Sequence, residues 1–498
     1  MLAITGKEIP SCADHDRKRS SFLTEGENYM NYIGLIGLGV MGRNLVLNME
    51  DKGYSVSVFN HTPGKTKEFL DNEGKNHNIS GYYDIKDFVN SLIKPRKIML
   101  MTKSGKPVDE MIGNLLPYLE KGDLLMDCGN TYFPDTNRRL NALKEKGILY
   151  LGIGVSGGES GALHGPSIMP GGSIDAYEMV EELLLKISAK TEDGCCCSYM
   201  GNNAAGHFIK MIHNGIEYGM MQTISEAYDI MNNVLKLSSQ EIAYIFEEWD
   251  NGELNSYLME ISAKVMKVKD DETDRPLVEM ILDKAGQKGT GKWTAQTALD
   301  LGIPAPSLNT AVDSRVISSF KEDRVKLSKM AAINLTEVTQ DKDKLIESLK
   351  ESLLFTNFIL FSQGLWVVSE ASKAYNFNIN ISEVLRIWKG GCIIRAKMLD
   401  FFRDIIDEDN ENVNLLNNGG SIEYLMEKLD CIKYVNMVAM DNFVPAFAFH
   451  TAIDYFLSMI REELPANLIQ AQRDFFGAHT YNRIDKEGIF HTDWEQGV

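Results

Sequence analysis

The sequence contains little tryptophan and little cysteine, and the positions of its cysteines exclude two small-domain architectures. Its 498 residues include 5 Trp and 7 Cys. Three cysteines are consecutive, Cys195, Cys196 and Cys197, and no Cys-x-x-Cys motif occurs. Consecutive cysteines cannot build a regular disulfide framework, and structural zinc sites use paired Cys-x-x-Cys motifs. We therefore expect neither architecture, and we interpret the triplet as the start of a small buried strand.

Long uninterrupted hydrophobic runs are also missing. A membrane-spanning helix needs about 18 consecutive apolar residues, and the nearest candidate, Leu353–Val368, is interrupted by four polar residues. This pattern predicts a buried helix. Residues 1–29 contain no apolar signal core and mix basic with acidic side chains, whereas transit peptides avoid acidic residues. We expect residues 1–30 to be a disordered leader and the protein to be cytoplasmic.

The chain has fewer basic residues than acidic residues. The chain has 51 Lys and Arg against 70 Asp and Glu, which gives a formal net charge of −19. A surface with this charge repels phosphate groups, and this argues against binding to nucleic acid or to an anionic membrane. An acidic protein that handles a small anionic ligand must therefore collect its lysines and arginines locally.

The order of the predicted elements indicates two kinds of domain. Up to about residue 200, short apolar runs alternate with helical patterns, which is typical of a parallel, doubly wound sheet. The predicted strands are Tyr32–Ile36, Tyr54–Phe59, Lys97–Met101, Leu124–Asp127, Leu149–Ile153 and Cys195–Met200. After Gly206 the strand signals stop and long periodic segments predict an all-helical region. Its main predicted helices are His207–Leu235, Ser239–Trp249, Leu254–Val268, Leu353–Tyr375 and Ser382–Phe402.

A glycine-rich loop joins the first predicted strand to the first helical pattern. It consists of Gly37, Leu38, Gly39, Val40, Met41 and Gly42. The G-x-G-x-x-G spacing is weak evidence alone, but between a strand and a helix it is typical of dinucleotide binding. The first glycine allows the tight turn, the second lets the backbone approach a pyrophosphate, and the third lets helix and strand pack closely. The N–H groups at the start of the helix would then face the phosphates.

The end of the second predicted strand indicates which dinucleotide binds. An NAD site usually has Asp or Glu about 20 residues after the loop, where the carboxylate binds the ribose 2′-hydroxyl. Here that position falls near Asn60, which is followed by His61, Thr62, Lys65 and Lys67. Hydroxyl, imidazole and ammonium groups attract a 2′-phosphate, whereas an acid would repel it. The sequence therefore predicts NADP, and the alternative is that the lysines only form the exposed start of a helix.

These features predict an α/β Rossmann-type N-terminal domain followed by a large all-α domain and a C-terminal tail. We place the leader at residues 1–30, the NADP-binding domain at 31–203, the helical substrate and dimerisation domain at 204–463 and the tail at 464–498. From Pro465 onward the chain is polar and rich in turns. A tail of this composition has no core of its own and needs another surface to lie on.

Five polar residues recur at helical spacing on an otherwise apolar segment. They are Lys210, His213, Asn214, Glu217 and Tyr218. Positions i, i+3, i+4, i+7 and i+8 share one helical face, so the pattern predicts a polar pocket on a buried helix. Lysine and glutamate in one pocket can divide acid–base work, because burial and mutual charge shift both pKa values. A neutral lysine accepts a proton, and a protonated glutamic acid donates one.

Three further glycine-rich segments offer polar loops. Gly154–Glu159 and Met169–Gly172 could surround an anion with backbone N–H groups. Ala285–Trp293 is rich in glycine and lysine. It lacks the Walker spacing and is therefore not interpreted as a nucleotide P-loop.

With these residues in place, the sequence resembles the 6-phosphogluconate dehydrogenase family. The resemblance runs from about Tyr32 to the last residues. The motifs that carry it are Gly154–Gly172, Gly206–Gly219, Ala285–Trp293, Trp388–Arg395 and Leu464–Tyr481. The last of these, which runs from Leu-Pro-Ala-Asn to Gly-Ala-His-Thr-Tyr, is specific to the family.

The resemblance implies oxidative decarboxylation of 6-phosphogluconate to ribulose 5-phosphate, a step of the pentose phosphate pathway, with NADP reduced and no metal. The residue that matches the family's base is Lys210, which removes the proton from the C3 hydroxyl. The matching acid is Glu217, which protonates C1 of the enediol after CO2 leaves. The residues implied to hold the sugar acid are Ser156, Gly157, Gly158, His213 and Asn214, with Asn130 between cofactor and substrate.

The same resemblance answers the question that the acidic composition raised. It implies that the substrate phosphate is bound by Tyr218, Lys288, Thr290 and Arg315, with Arg473 and His479 reaching in from the tail of a second subunit. Arginine suits phosphate because its planar fork binds two oxygens at once. The tail would then lie on the partner, and we expect an obligate homodimer.

The sequence departs from the family pattern near the cofactor. His61 stands where an arginine usually contacts the adenine and the 2′-phosphate, so NADP affinity is expected to be weaker and to fall as the imidazole loses its charge at rising pH. The segment on the nicotinamide side, Thr102, Lys103 and Ser104, is less apolar than usual. Cys128 also departs from the pattern, since it replaces a glycine. None of these changes removes a proposed catalytic group.

Two alternatives remain at this point. One is a β-hydroxyacid dehydrogenase of the hydroxyisobutyrate type, which shares the glycine loop and a catalytic lysine but is shorter and lacks the phosphate-binding set. The other is a non-catalytic NADP-binding paralogue. The presence of both Lys210 and Glu217 argues against it. Met220, which replaces an aspartate just beyond them, is a further departure from the family pattern that removes neither group.

Overall fold

The computed structural model describes residues 30–331, 340–408 and 413–495. The prediction for the leader therefore concerns residues that lie almost entirely outside the described part of the chain. Within that part, a seven-stranded sheet is followed by a large group of helices. Two separate apolar cores cover the two faces of the sheet, and a third, larger core fills the helical part.

The sheet is of the Rossmann type. Its strands are β1 (Ile33–Ile36), β2 (Val56–Phe59), β3 (Ile79–Tyr82), β4 (Lys97–Leu100), β5 (Leu124–Asp127), β6 (Leu149–Val155) and β7 (Ile168–Gly172). Their order is β3-β2-β1-β4-β5-β6-β7, and all neighbours are parallel except the antiparallel pair β6 and β7. The order reverses between β1 and β4, and ligands of such sheets bind beside that point at the carboxyl ends of the strands. The predicted fold class is confirmed.

Helices connect the strands on both faces of the sheet. They are α1 (Val40–Asp51), α2 (Pro63–Asp71), α3 (Ile85–Asn90), α4 (Lys106–Leu115), α5 (Phe133–Lys144), α6 (Gly158–His164), α7 (Ile174–Glu178) and α8 (Glu181–Ile187), with a 3-10 turn at Leu116–Tyr118. Along β1 the side chains alternate between the two cores, with Leu35 in one and Ile36 in the other. This alternation is the period of two that a strand imposes.

Three predictions about strands were incomplete or wrong. Met169–Gly172 is not an anion-binding loop but part of β7, which pairs with β6 on one side and meets the backbone of residues 196–201 through isolated bridges on the other. Pro170 has no N–H to donate, and its carbonyl oxygen accepts a hydrogen bond from the backbone N–H of Met200 at 2.8 Å. The predicted strand Cys195–Met200 is reduced to β9 (Gly194–Cys195), which pairs with β8 (Lys190–Thr191) in a separate sheet. Strand β3 was missed because Ser80 and Gly81 interrupt its apolar pattern.

The second half of the described chain is helical, as predicted. Its helices are α9 (Ala205–Asn233), α10 (Ser239–Asp250), α11 (Tyr257–Lys267), α12 (Leu277–Met280), α13 (Thr290–Asp300), α14 (Pro306–Ser319), α15 (Lys321–Ala331), α16 (Lys342–Ala374), α17 (Ile381–Trp388), α18 (Met398–Glu408), α19 (Gly419–Asp441) and α20 (Phe447–Met459), with a 3-10 turn at Leu415–Asn417. The predicted single helix Ser382–Phe402 is wrong. It is divided into α17 and α18 because Gly391 has a φ of +63°, a conformation that an α-helix cannot continue.

The two longest helices, α9 and α16, pack against each other through glycine. A Cβ atom on Gly219 would lie 2.3 Å from the Leu360 side chain, and one on Gly364 would lie 2.7 Å from Ile216. Helix α16 is long and apolar enough to cross a membrane, but 94% of the relevant window is buried inside the protein. It is therefore the core helix that the interrupted run Leu353–Val368 predicted.

The tail forms one more helix, α21 (Ala466–Gly477), and an irregular segment that folds back onto it. The buried carboxylate of Asp474 accepts hydrogen bonds from the backbone of Thr480 and Thr492 and from the side chains of His491 and Trp494. Desolvation opposes ionisation, but these bonds lower the pKa of Asp474 to about 2. The tail is thus locally ordered around one carboxylate.

Helix α9 begins directly on the sheet. Gly206 lies in its first turn, and a Cβ atom there would be 2.2 Å from the carbonyl oxygen of Gly152 on β6 and 2.6 Å from the backbone nitrogen of Gly171 on β7. Only glycine allows main chains to approach this closely. The helix that carries Lys210, His213, Asn214, Glu217 and Tyr218, called the polar stripe below, is therefore fixed to the sheet by backbone contact.

Candidate active site

The glycine loop has the geometry that its sequence predicts. Gly37 has a φ of +107°, and a Cβ atom there would lie 2.4 Å from the carbonyl oxygen of Met101. A Cβ atom on Gly42 would lie 1.9 Å from the carbonyl oxygen of Gly37, whereas one on Gly39 would meet nothing within 4 Å. Gly39 is the N-cap of α1, and no side chain caps this helix end. The loop therefore presents open backbone at the end of β1, as a pyrophosphate site requires.

Asn60 supports this loop from β2. Its side-chain oxygen accepts a hydrogen bond from the backbone N–H of Leu38 at 3.0 Å, and its amide donates to the carbonyl of Thr62 at 3.1 Å. Asn60 therefore shapes the cofactor site by holding the backbone. The next residues, His61, Thr62 and Lys65, are exposed around the start of α2, where cations and helix N–H groups together attract a phosphate.

The segment predicted to lie on the nicotinamide side, Thr102–Ser104, follows the end of β4. Thr102 and Ser104 are partly buried and Lys103 is exposed. A Cβ atom on Gly129 would lie 2.9 Å from the carbonyl oxygen of Thr102, so the loop after β5 packs on this segment. Asn130 is exposed in that loop. The segment after β4 borders the point where the strand order reverses, and the loop after β5 lies next to that segment.

The polar stripe is buried as predicted. Lys210, His213 and Asn214 are 5%, 0% and 8% exposed, and Tyr218 is also buried. His213 connects the stripe: its Nδ1 lies 3.3 Å from Lys210 Nζ, 3.0 Å from the Asn214 side-chain oxygen and 3.7 Å from a carboxylate oxygen of Glu217. Four of the five side chains, all but Tyr218, therefore form one continuous polar cluster on α9.

Burial shifts the titration of these groups in the directions that acid–base chemistry needs. Desolvation lowers the pKa of Lys210, although the charge of Glu217 opposes this shift. Desolvation raises the pKa of Glu217, opposed by Lys210 and Arg315. Desolvation and the neighbouring Lys210 hold the pKa of His213 well below its usual range. The site therefore favours a neutral imidazole. It lowers the pH at which the Lys210 amine loses its proton and raises the pH at which the Glu217 carboxyl group loses its proton.

The loop after β6 reaches the stripe. Ser156 is buried, and its hydroxyl lies 3.0 Å from Nε2 of His213. Gly157 has a φ of +110°, and Gly158 begins α6 with a φ of +62°. A Cβ atom on Gly154 would lie 2.4 Å from the Cβ of Lys210. The predicted sugar-acid residues on β6 and α9 are thus brought together.

The candidate phosphate site lies one turn further along α9. The guanidinium of Arg315 on α14 stacks on the ring of Tyr218, with its central carbon 3.4 Å from the ring centroid. Thr290 opens α13, and its hydroxyl accepts a hydrogen bond from the Asn214 amide at 3.2 Å. Lys288 is exposed just before that helix. Arg315 and Lys288 are therefore the cationic residues at this end of the stripe. The acidic composition of the chain predicts such a local group at an anion site.

Arg473 and His479 lie on the tail. Arg473 donates a hydrogen bond to Gln470 within α21, and the His479 ring packs against Phe476. Both are exposed, and Asp474 is the one buried residue of α21. The large apolar residues of the tail that are also exposed are Leu464, Leu468, Ile469, Phe475, Phe476, Ile484 and Ile489. The structure thus shows an apolar tail surface that the described residues of the chain leave uncovered.

Sequence reasoning missed one wall of the pocket, the segment between α17 and α18. The fully buried Trp388 ring contacts His213 at 5.7 Å between centroids, and the carbonyl oxygen of Gly391 would be 2.6 Å from a Cβ on Gly157. Burial raises the pKa of the Cys392 thiol to about 12, against the charge of Lys210. The family motif Trp388–Arg395 was noted, but without the fold nothing indicated that it meets α9.

The site contains one concentration of titratable groups and no visible metal-ligand set. In the three described ranges, no group of three or more His, Cys, Asp or Glu is arranged to hold a metal ion. The sheet is of the Rossmann type and has an open glycine loop at the point where the strand order reverses. It is joined to a helix that carries a buried lysine and a glutamate. Together these features define a nicotinamide-dependent dehydrogenase with a separate helical substrate domain.

Comparison with known proteins identifies the family. Residues 32–201 match the NAD binding domain of 6-phosphogluconate dehydrogenase, and residues 206–494 match the 6-phosphogluconate dehydrogenase C-terminal domain. The chain is 50% identical over 463 residues to the NADP(+)-dependent, decarboxylating 6-phosphogluconate dehydrogenase of Bacillus subtilis (strain 168), covering 93% of this chain and 98% of that one. It is 44% identical over 466 residues to decarboxylating 6-phosphogluconate dehydrogenase 1 of Oryza sativa subsp. japonica, covering 93% of this chain and 97% of the rice protein.

A solved structure agrees with these relatives. The 6-phosphogluconate dehydrogenase of Plasmodium falciparum, described in its apo form, with its cofactor NADP+ and with its substrate 6-phosphogluconate, superposes with a TM-score of 0.89. The two sequences are 42% identical, and the match covers 93% of this chain and 100% of that chain. The chain belongs to the 6-phosphogluconate dehydrogenase family.

Proposed function

We propose that this chain oxidatively decarboxylates 6-phosphogluconate to ribulose 5-phosphate and CO2 while reducing NADP to NADPH. The observation that carries the proposal is the pairing of Lys210 with Glu217 on one face of α9, both largely removed from water, with pKa values shifted in opposite directions. The relative from Bacillus subtilis is named for this activity and this cofactor. The prediction of NADP from the corner after β2 agrees with it.

The residues of the N-terminal domain fit NADP. The pyrophosphate would lie on the open backbone of Gly37–Gly42, which Asn60 holds in place. The 2′-phosphate would be met by His61, Thr62 and Lys65, and the nicotinamide end by the segment Thr102–Ser104 and by Asn130. When bound, NADP supplies the electron acceptor for oxidation at C3 of the substrate.

Lys210 acts first, as the base. Its lowered pKa makes a neutral amine available, and that amine removes the proton of the C3 hydroxyl while C3 is oxidised. Ser156, His213 and Asn214 orient the sugar acid, because their polar atoms surround the amine. Since His213 is kept neutral, it does not compete with Lys210 as a second cation.

The oxidised substrate is a β-keto acid, which can lose CO2 without a further electron sink. Electrons from the broken bond between the carboxylate and C2 move toward the new C3 carbonyl. The Lys210 ammonium formed in the first step donates a hydrogen bond to that oxygen and stabilises its developing charge. Transfer of the ammonium proton to that oxygen gives an enediol and leaves Lys210 as a neutral amine.

Glu217 acts last, as the acid. Desolvation raises its pKa, and its protonated form delivers a proton to C1 of the enediol while Lys210 takes the proton of the adjacent hydroxyl, which gives the ketone. The proton taken from the C3 hydroxyl is balanced by the proton given to C1. The two ends of the stripe therefore do opposite halves of one proton transfer.

The substrate phosphate lies in this proposal against Tyr218, Lys288, Thr290 and Arg315. We further propose that Arg473 and His479 join them from the tail of a second subunit in an obligate homodimer. The exposed apolar surface of α21 supports this arrangement, because an uncovered surface of this kind marks a protein contact. The domain limits 31–203, 204–463 and 464–498 and a cytoplasmic location belong to the same proposal.

The test of the function is direct. Purified protein is supplied with 6-phosphogluconate and NADP, and NADPH and CO2 are measured together, with Lys210→Ala as the control. Equal amounts of both products from the wild type, and none from the variant, are expected. NADPH without CO2 would instead favour a simple β-hydroxyacid dehydrogenase, and the absence of both would favour a non-catalytic NADP-binding paralogue.

A further inference from the structure

The most completely bonded carboxylate beside the site is Asp127, the last residue of β5. It is 0% exposed. One oxygen accepts from the backbone N–H of Gly129 at 3.1 Å, and the other accepts from the hydroxyls of Thr131 at 2.7 Å and Tyr150 at 3.1 Å. Arg139 lies 3.4 Å from the same oxygen. A buried charge with this many donors is held in one place.

These bonds close a short loop. Gly129 and Thr131 flank Asn130, and both are fastened to the carboxylate at the start of the loop. The backbone is therefore fixed on both sides of Asn130, and this sets the position of its exposed side chain. On its other side the loop packs against the backbone of Thr102 at Gly129.

The partner of the carboxylate extends the same network to the neighbouring strand. Arg139 on α5 is 2% exposed. It donates to the carbonyl oxygen of Gly105 at 2.9 Å and makes two hydrogen bonds to Asp109 at 2.8 and 3.1 Å. Gly105 ends the segment that begins with Thr102. One buried ion pair thus fixes both loops on the nicotinamide side of the sheet.

We propose that Asp127 is a positioning residue for the reaction: through Gly129, Thr131 and Arg139 it sets the place of Asn130 between cofactor and substrate. The proposal rests on the function proposed above. Asp127 itself is fully buried and acts through the loop. Its effect is therefore expected on the rate of the chemical step, because reacting groups misplaced by about 1 Å lose on the order of 100-fold in rate.

The chain offers a matched control on the same strand. Asp123 precedes β5 at its opposite end, is 2% exposed and pairs with the buried Arg96 at 2.8 Å. It also accepts backbone hydrogen bonds from Arg96 and Glu120. Asp123 and Asp127 thus share burial, an arginine partner and backbone donors, but Asp123 lies at the end of the sheet away from the site.

The experiment compares Asp127→Asn with Asp123→Asn in the full-length enzyme. Asp127→Asn keeps the acceptor for Gly129 but replaces the oxygen that binds Thr131, Tyr150 and Arg139. We expect its kcat to fall about 10- to 100-fold, while the Kd for NADPH, measured by fluorescence, stays within about twofold of wild type. Asp123→Asn is expected to lower Tm but to keep kcat within about twofold.

A double-mutant cycle separates positioning from general support. In an Asn130→Ala background, Asp127→Asn should no longer lower kcat, because the side chain that it positions is gone. Additive losses would overturn the proposal, as would equal kcat values for the two aspartate variants. If Asp127→Asn does not fold, Thr131→Val removes one fixed point of the loop, and a wild-type kcat for that variant also overturns the proposal. A wild type that forms no NADPH from 6-phosphogluconate would overturn the proposed function itself.

Discussion

The guanidinium of Arg315 lies flat on the ring of Tyr218, 3.4 Å from the guanidinium carbon to the ring centroid. The same guanidinium donates to the carbonyl oxygen of Gly286 at 3.1 Å, which ties α14 to the loop before α13. Burial lowers the pKa of Arg315, against the influence of Tyr218 and Glu217. An arginine held in this way presents its remaining N–H groups without further loss of side-chain freedom.

Arg315→Lys should therefore weaken substrate binding although the charge is kept. Lysine lacks the planar fork and the stacking face, so we expect KM for 6-phosphogluconate to rise about 10- to 100-fold with a smaller change in kcat. Steady-state kinetics with varied substrate measures this. Arg324→Lys is the control, since Arg324 pairs with Asp283 on the surface. Equal KM values for the two variants would show that Arg315 does not bind the phosphate.

Lys210→Met should abolish the reaction and stabilise the fold. Loss of a general base lowers the rate by about 100- to 10,000-fold. The pKa of Lys210 is lower in the folded state than in the unfolded chain. Between these two pKa values the unfolded chain binds one proton more than the folded protein. The stability of the wild type therefore rises with pH through this range. Below it, the wild type carries a buried charge that methionine lacks.

Differential scanning calorimetry near neutral pH is the measurement, and an increase of Tm by about 1–4 °C is expected. Lys264→Met, which replaces an exposed lysine, should leave both activity and Tm close to wild type. A lower Tm for Lys210→Met would contradict the inferred burial of the amine.

Glu217→Gln should leave binding intact and stop the last step. The amide resembles the protonated carboxyl group that burial favours, but it cannot give a proton to C1. We expect kcat to fall about 100- to 10,000-fold with KM for NADP unchanged. Solvent deuterium incorporation at C1 of the product reports the step, and a wild-type rate of incorporation would remove Glu217 from the mechanism.

A second glutamate on α9 should make stability depend on pH. Glu226 is buried and accepts backbone hydrogen bonds from Ala448 and Phe449 at the start of α20. Burial raises its pKa from 4.5 to about 7, against these bonds and one from Gln222. In that window the folded state keeps a proton that the unfolded state releases, so stability falls as pH rises and is level above about pH 7.

Glu226→Gln removes this dependence. The stability of the variant relative to wild type should increase by on the order of 1–3 kcal/mol between about pH 5 and about pH 8. Urea unfolding at the two pH values measures it. Glu248→Gln, at an exposed position of α10, should show no such trend, and the same flat result for Glu226→Gln would contradict the assignment.

The proposed dimer predicts complementation between two inactive variants. Lys210→Ala lacks the base, and Arg473→Ala lacks the tail arginine, so each homodimer should be impaired. After subunit mixing, one site of each mixed dimer has Lys210 from one chain and Arg473 from the other, which should restore about a quarter of wild-type activity. If the tail served its own chain, the mixture would stay as impaired as its components.

Much of the site could be predicted from sequence because its main features lie within single elements. The glycine loop is six consecutive residues, and the stripe from Lys210 to Tyr218 is two turns of one helix. Periodicity and spacing are local properties, and they can be recognised in the sequence without knowledge of the fold. The same local signal gave β1, β5 and α9 with boundaries within two residues of the observed ones.

What could not be predicted depends on contacts between distant parts of the chain. Trp388 contacts His213, and Gly391 contacts Gly157. The residues of each pair are about 175 or more positions apart in sequence, and no pattern in one segment predicts a contact with the other. The sequence predicts a loop in place of strand β7, because the pair Gly171 and Gly172 weakens the strand pattern. Both glycines are there to admit α9 and β6, so a tertiary requirement overrode the local propensity.

The meeting of Gly152, Gly171 and Gly206 has a consequence for how the two halves of the molecule can move. Many dehydrogenases place a hinge between the halves that hold cofactor and substrate. Here main chains touch where such a hinge would turn, with atoms of β6 and β7 directly beneath the first turn of α9. Rotation about this point would drive backbone into backbone. The position of Lys210 relative to β6 and β7 is therefore fixed by backbone contact. We expect ligands to enter and leave through movement of parts of the chain that lie away from this contact.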